Sequence, residues 1–159
     1  MIGRFKALLG KRGGAAPAGP PTPEEKYLAA AALMVEAARL DGHFDAAERD
    51  KVGELVCRHF GVTEREAEAL IAAAEAAHDD ASGLVRFTRV IKETFPPEQR
   101  IEVIEMLWEV AYADGVLHDY EANLLRRVAG LIYVSDRERG AARKRVLERL
   151  GHGDSAGRA

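Results

Sequence analysis

Two short acidic stretches contain the residues with the clearest capacity for chemistry. They read "LDGHFDAAE" at positions 40–48 and "ADGVLHDYE" at positions 113–121. Carboxylate oxygens are the ligands that hard divalent cations prefer. The aligned acids are therefore candidate metal ligands for Ca²⁺, Mg²⁺, Mn²⁺ or Zn²⁺: Asp41, Glu48, Asp114 and Glu121, with Asp45 as an additional candidate in the first copy.

The same residues also fit a purely structural interpretation, in which each stretch turns the chain between two helices. Gly42 and Gly115 suit the left-handed conformation that ends a helix. Asp45 and Glu48 match a capping box, and a cap of this kind contributes roughly 0.5–2 kcal/mol. His118 occupies the equivalent cap position of the second copy, where it is a poorer cap.

Capping does not explain the acid at the end of each preceding helix. Asp41 and Asp114 face the negative end of the helix dipole, at a cost of about 0.3–1 kcal/mol. Two carboxylates about 5 Å apart repel by roughly 3 kcal/mol at an effective dielectric of about 20. If the acids converge, a cation or a basic partner is required; if they point apart into water, capping suffices. The sequence leaves both interpretations open, and it lacks the EF-hand calcium-loop pattern.

A metal-dependent hydrolase is a further hypothesis, since clustered carboxylates beside a histidine could bind ions that activate water. No combination of nucleophile, base and oxyanion donor is readable at any spacing. Ser82 and Ser135 are better explained as helix caps. We therefore expect no catalytic residue, no organic cofactor and no enzymatic activity.

Helical periodicity predicts an all-α fold. Seven helical segments with short breaks lie between residues 22 and 150, and no segment alternates with the period of a strand. We expect helices at 22–41, 45–60, 63–78, 82–95, 97–114, 118–132 and 135–150. Because the helix, corner, helix unit occurs twice at an offset of 73 residues, we predict a compact bundle with an internal pseudo-twofold repeat.

Apolar and small residues in the first helix recur at helical spacing and predict one buried face. They are Leu28, Ala31, Ala32, Val35 and Ala38. Small side chains on such a face let neighbouring helices approach closely.

The ends of the chain differ in composition from the helical domain at 23–150. Residues 1–12, "MIGRFKALLGKR", form a basic amphipathic segment, and residues 13–22, "GGAAPAGPPT", read as a linker. Residues 151–159 are predicted to be a disordered tail. Cys57 is the single cysteine, so a disulfide within the chain is excluded.

Charge separates the two parts of the chain. Residues 1–12 carry four basic side chains and no acid, so the remainder holds a net charge of −7 within a total of −3. An acidic body argues against nucleic-acid binding, which depends on neutralising phosphates. We expect a cation or a protein as the partner. The basic segment suggests an alternative function, a membrane-peripheral adaptor on an anionic surface.

The doubled corner, "ARLDGHFDAAE" and "AYADGVLHDYE", within an alanine-rich helical domain resembles the tellurite-resistance TerB family, which includes the N-terminal domain of the DjlA co-chaperones. The resemblance covers about residues 24–150. It implies about seven helices and a metal site at Asp41, Glu48, Asp114 and Glu121; His118 departs from the acidic or hydroxyl residue expected there.

The resemblance says little about activity. The doubled acidic corner motivates the leading hypothesis, a cytoplasmic, non-enzymatic module that binds a divalent cation and acts in stress response or as a scaffold, in the cytoplasm or at the inner face of the membrane. The chain has no His-Pro-Asp tripeptide, so the J-domain of the co-chaperones is missing. Tellurite chemistry is not inferred, because a lone Cys57 provides no dithiol.

Overall fold

A computed structural model describes residues 23–41, 44–77, 83–113 and 119–151. Within these ranges the chain forms seven α-helices and no strand, which confirms the all-α prediction. The helices are α1 (Pro23–Ala38), α2 (Ala46–Phe60), α3 (Glu64–Ala76), α4 (Gly83–Thr94), α5 (Pro97–Ala111), α6 (Asp119–Leu131) and α7 (Asp136–Arg149). A 3-10 turn, Arg39–Asp41, follows α1.

The first helix is the centre of the bundle. It packs against α2, α3, α4 and α5. Its residues from Leu28 to Val35 are all buried, and so are Ala37 and Ala38. A helix surrounded by other helices is apolar on every side. The prediction of a single buried face along α1 was therefore too narrow, because alanine at several other positions also belongs to the core.

Reciprocal capping boxes begin three of the helices, and the one at Asp45 and Glu48 confirms the prediction. Asp45 and Glu48 form the box of α2. Thr63 pairs with Glu66 at α3, and Ser135 with Glu138 at α7. In each box a side-chain oxygen accepts a hydrogen bond from the third backbone N–H of the helix, while the glutamate accepts one from the cap residue. These local bonds set the starting points of α2, α3 and α7.

Contacts between aromatic rings define the relative directions of the helices. Tyr27, near the start of α1, stacks on Phe60, the last residue of α2, with ring centroids 4.6 Å apart. Phe60 contacts Phe95 edge to face at 6.2 Å, just before α5 begins. We call this the aromatic end, defined by Tyr27, Phe60 and Phe95. Since α1 and α5 pack together and both begin there, they run in parallel.

The opposite end of the bundle therefore contains the helix ends that flank both repeated corners. We call it the corner end: α1 and α5 finish there, and α2 and α6 begin there. The guanidinium of Arg100, in the first turn of α5, donates a hydrogen bond of 3.0 Å to the carbonyl of Ile132 beyond α6, so α6 runs antiparallel to α5. Parallel α1 and α5 are the arrangement expected if the two units pack about an axis along the helices.

Several predictions fall on residues outside the described ranges. These are the basic segment at 1–12, the linker at 13–22, residues 152–159 of the tail, Gly42, and the second corner from Asp114 to His118. The predicted first helix is corrected at its end: α1 stops at Ala38, and the last three residues form the 3-10 turn. No helix in the described part of the chain is both long and apolar enough to span a bilayer.

Candidate functional site

The first corner is held in the geometry of a capping box. Asp45 has an extended backbone, and its Oδ1 accepts a hydrogen bond of 2.8 Å from the Glu48 N–H. Glu48 Oε1 accepts one of 3.3 Å from the Asp45 N–H. One oxygen of each carboxylate is thus committed to starting α2, which confirms the structural interpretation for these two residues. Asp41 is the last residue of the 3-10 turn, and its side chain lies outside the described set.

The second corner contributes a buried acid. Glu121 lies in the first turn of α6 and is only 9% exposed. A buried carboxylate must be compensated by hydrogen bonds, positive charge or a metal ion. Its predicted companion Asp114 lies outside the described ranges.

The two corners differ in their local charge. Arg39 lies in the 3-10 turn that ends at Asp41, so the first corner carries a basic residue beside its acid. The last turn of α5, which leads into the second corner, contains none. A positive charge near a helix C-terminus offsets the helix dipole. The last turn of α5 therefore lacks this local compensation.

The structure brings the first-turn acids that follow the two corners to the same end of the bundle, a point that the sequence leaves open. Glu48 and Glu121 both lie in first turns that begin at the corner end. Across the described ranges, no group of three or more His, Cys, Asp or Glu side chains is arranged to hold a metal ion. The donor types suit a hard cation, but the described acids supply only part of the predicted set.

A second charged site lies between α2, α5 and α7 and was not predicted. Glu109 is 1% exposed in the middle of α5. Its carboxylate accepts hydrogen bonds of 3.2 and 3.3 Å from Arg58 Nη2. Arg149 Nη2 lies 3.7 Å from Oε2, and His59 Nε2 lies 3.9 Å from the same oxygen.

The surroundings of Glu109 favour its charged form. Burial raises the pKa of the carboxyl, but the His59 ring and the positive charges of Arg58, Lys51 and Arg149 lower it. The net result is a pKa below the ordinary value, so Glu109 is ionised at neutral pH. The signal in the sequence was an acid inside the apolar run "MLWEVA", where periodicity predicts a buried position.

A family comparison identifies the domain. A family model described as "Tellurite resistance protein TerB" matches residues 27–144, most of the chain. The chain belongs to the TerB family. The matched range contains both corners of this TerB domain and five complete helices, α2 to α6, with most of α1 and α7. No curated protein and no solved structure matches the chain.

The TerB domain also has an open cleft of about 710 Å³ between α2 and α3. Its lining residues are Arg49, Asp50, Gly53, Glu54, Cys57, Arg58, Glu64, Ala67, Glu68 and Ile71. Burial raises the pKa of the Cys57 thiol, and the negative charge of Glu64 raises it further. A raised pKa keeps the thiol protonated, which disfavours nucleophilic chemistry in the cleft.

Proposed function

We propose that the protein is a non-enzymatic TerB module that binds a divalent cation at the corner end and serves in a stress response or as a scaffold. One observation supports the proposal: α1 and α5 run in parallel, so the first-turn acids Glu48 and Glu121, one from each repeat, lie at the same end of the domain. A bound cation would neutralise acids that otherwise repel one another.

The second corner is the better candidate of the two. Glu121 is nearly buried there, whereas Glu48 is half-buried and already caps α2. The turn before the second corner also lacks the basic residue that Arg39 supplies to the first. We propose that Asp114 and Glu121 provide the stronger ligands, with Asp41 and Glu48 contributing less and Asp45 acting mainly as the cap of α2.

Calorimetric titration tests the proposal. The full chain is titrated separately with Ca²⁺, Mg²⁺, Mn²⁺ and Zn²⁺, and its melting temperature is measured with and without each ion. At 100 times the dissociation constant, binding to the folded state stabilises by about 2.7 kcal/mol. We expect Asp114→Asn/Glu121→Gln to abolish both the heat of binding and the melting shift, and Asp41→Asn/Glu48→Gln to weaken them.

Glu93→Gln/Glu98→Gln is the matched control. Both acids are exposed and lie near the aromatic end, at the end of α4 and the start of α5. The control removes the same two charges without touching a corner, so it should bind as the wild type does. Equal binding by all three variants, or no heat with any of the four ions, would show that the corners are not a metal site.

A further inference from the structure

The cleft between α2 and α3 has an acidic rim over a floor of small and apolar residues. Gly53, Cys57, Ala67 and Ile71 form the floor. A Cβ at residue 53 would lie in ordinary van der Waals contact with Ile71 Cδ1, at 3.6 Å, so the glycine leaves that space in the floor open. Four of the six charged residues on the rim are acids.

The two arginines of the cleft are engaged by other acids. The Arg49 guanidinium pairs with Glu75, and that of Arg58 binds Glu109. By contrast, Asp50, Glu64 and Glu68 are exposed and form no ion pair with any residue in the described ranges. The unneutralised charge of the cleft is therefore negative, and the ligand that complements it is basic with an apolar face.

We propose that residues 1–12 of the same chain dock in this cleft. The segment carries four basic residues and no acid, which complements the rim. At helical spacing, Ile2, Phe5, Leu8 and Leu9 share one face that matches the apolar floor. When docked, the segment covers Cys57 and contacts both α2 and α3.

The length of the intervening chain permits this docking. Tyr27 of α1 stacks on Phe60, three residues after Cys57, so the chain enters the domain at one end of the cleft. The ten residues 13–22 reach up to about 33–36 Å when extended. The part of α2 that lines the cleft, from Arg49 to Arg58, is only about 14 Å long. A tether of this length also gives a high effective concentration, so weak contacts are enough.

Paramagnetic relaxation in the full chain tests the proposal. A nitroxide is attached at position 10 in Cys57→Ala/Gly10→Cys, and amide signals are compared with the label oxidised and reduced. We expect the signals of Gly53, Ala67 and Ile71 to lose most of their intensity, while those of α6, which packs against neither α2 nor α3, remain unchanged. Uniform intensities throughout the domain would overturn the proposal.

Charge-reversal variants distinguish docking in the cleft from a general electrostatic attraction between residues 1–12 and the acidic domain. Asp50→Lys/Glu68→Lys, added to the labelled chain, should restore the cleft signals. Lys6→Glu/Lys11→Glu, added to that variant, should bring the broadening back. Glu93→Lys/Glu148→Lys makes the same change of net charge outside the cleft and should leave the broadening intact. If this control removes it equally, the contact is not specific and the proposal is wrong.

Anionic vesicles test whether residues 1–12 bind a membrane surface in place of the cleft. The labelled chain is mixed with vesicles of phosphatidylserine and phosphatidylcholine and assayed by flotation. Docking in the cleft is refuted if two results occur together: the chain floats with the vesicles, and its cleft signals show no broadening in their absence. The segment then binds membranes only. Docking predicts that Asp50→Lys/Glu68→Lys floats more readily than the Glu93→Lys/Glu148→Lys control, because its segment is released.

Discussion

Arg58 on α2 holds the buried carboxylate of Glu109 on α5, with its Nη2 atom 3.2 Å from one oxygen and 3.3 Å from the other. The contact crosses 51 residues of sequence and fastens a helix of the first repeat to a helix of the second. Arg149 approaches the same carboxylate from α7. Side chains from α2 and α7 thus both contact the Glu109 carboxylate, which links these two helices to α5.

Removing Arg58 should destabilise the fold strongly. Breaking a fully buried ion pair costs about 3–5 kcal/mol, and because 46% of the Arg58 side chain is exposed we expect Arg58→Met to cost about 2–3 kcal/mol. Arg145 is the matched control, since it is 47% exposed and its partner Glu105 is also held by Arg149. Urea unfolding should show a cost below about 1 kcal/mol for Arg145→Met; similar costs for both variants would contradict the special role of Glu109.

Lowering the pH should reduce the stability of the domain, partly because Glu109 becomes protonated. A carboxyl whose pKa is lower in the folded state contributes stability above its unfolded pKa, and that stability is lost as the pH falls through the folded pKa. We therefore expect the free energy of unfolding to fall less between about pH 6 and pH 3 in Glu109→Gln than in the wild type. Chemical denaturation at several pH values measures the difference. The exposed Glu98→Gln should follow the wild type, and parallel curves for all three proteins would exclude this contribution.

Because the centre of the bundle is densely packed, we expect leucine substitutions at a buried and an exposed alanine to differ in their effect on stability. Ala31 of α1 is fully buried, whereas Ala72 of α3 is exposed. Overpacking a core usually costs 1–3 kcal/mol, so we expect Ala31→Leu to destabilise by at least about 2 kcal/mol. Ala72→Leu should change stability by no more than about 0.5 kcal/mol. Thermal unfolding of the two variants checks this, and an unaffected Ala31→Leu would mean that α1 has room on that side.

The end of α6 contains a residue in an uncommon conformation. Tyr133 has φ 61° and is 71% exposed. The Val134 N–H donates to the Ala129 carbonyl and the Tyr133 N–H to that of Gly130, which is a Schellman motif. Glycine is favoured at this position because other residues pay for the left-handed conformation.

We expect Tyr133→Gly to be more stable than Tyr133→Ala by about 1 kcal/mol. Both variants lose the contact of the ring with Lys92, so the comparison isolates the backbone. Denaturant unfolding of the two proteins under the same conditions measures the difference. Equal stability would mean that the backbone relaxes out of the left-handed conformation.

Local features of the fold could be predicted from the sequence because neighbouring residues determine them. The boxes at Asp45, Thr63 and Ser135 begin the helices where their spacing predicts. The predicted 82–95 segment is observed as Gly83–Thr94. The repeat of the helix, corner, helix unit is also visible in the sequence, since its two copies have the same residue types at a constant offset.

Features that depend on distant residues could not be predicted in the same way. Periodicity assigns one apolar face to α1, but the number of helices that surround it depends on the packing of the whole chain. The direction of α1 relative to α5 follows from Tyr27, Phe60 and Phe95, which are far apart in sequence. The metal ligand set stays a prediction, because Asp114 and the side chain of Asp41 lie outside the described residues.

The aromatic end and the corner end lie at opposite ends of the domain. Its first helix is 16 residues long and therefore spans about 24 Å between them. The N-terminal segment and its linker join at the aromatic end, ahead of Pro23. Residues 1–22 therefore join the domain at the end remote from the first-turn acids Glu48 and Glu121, so a partner bound at the aromatic end would not contact those two acids.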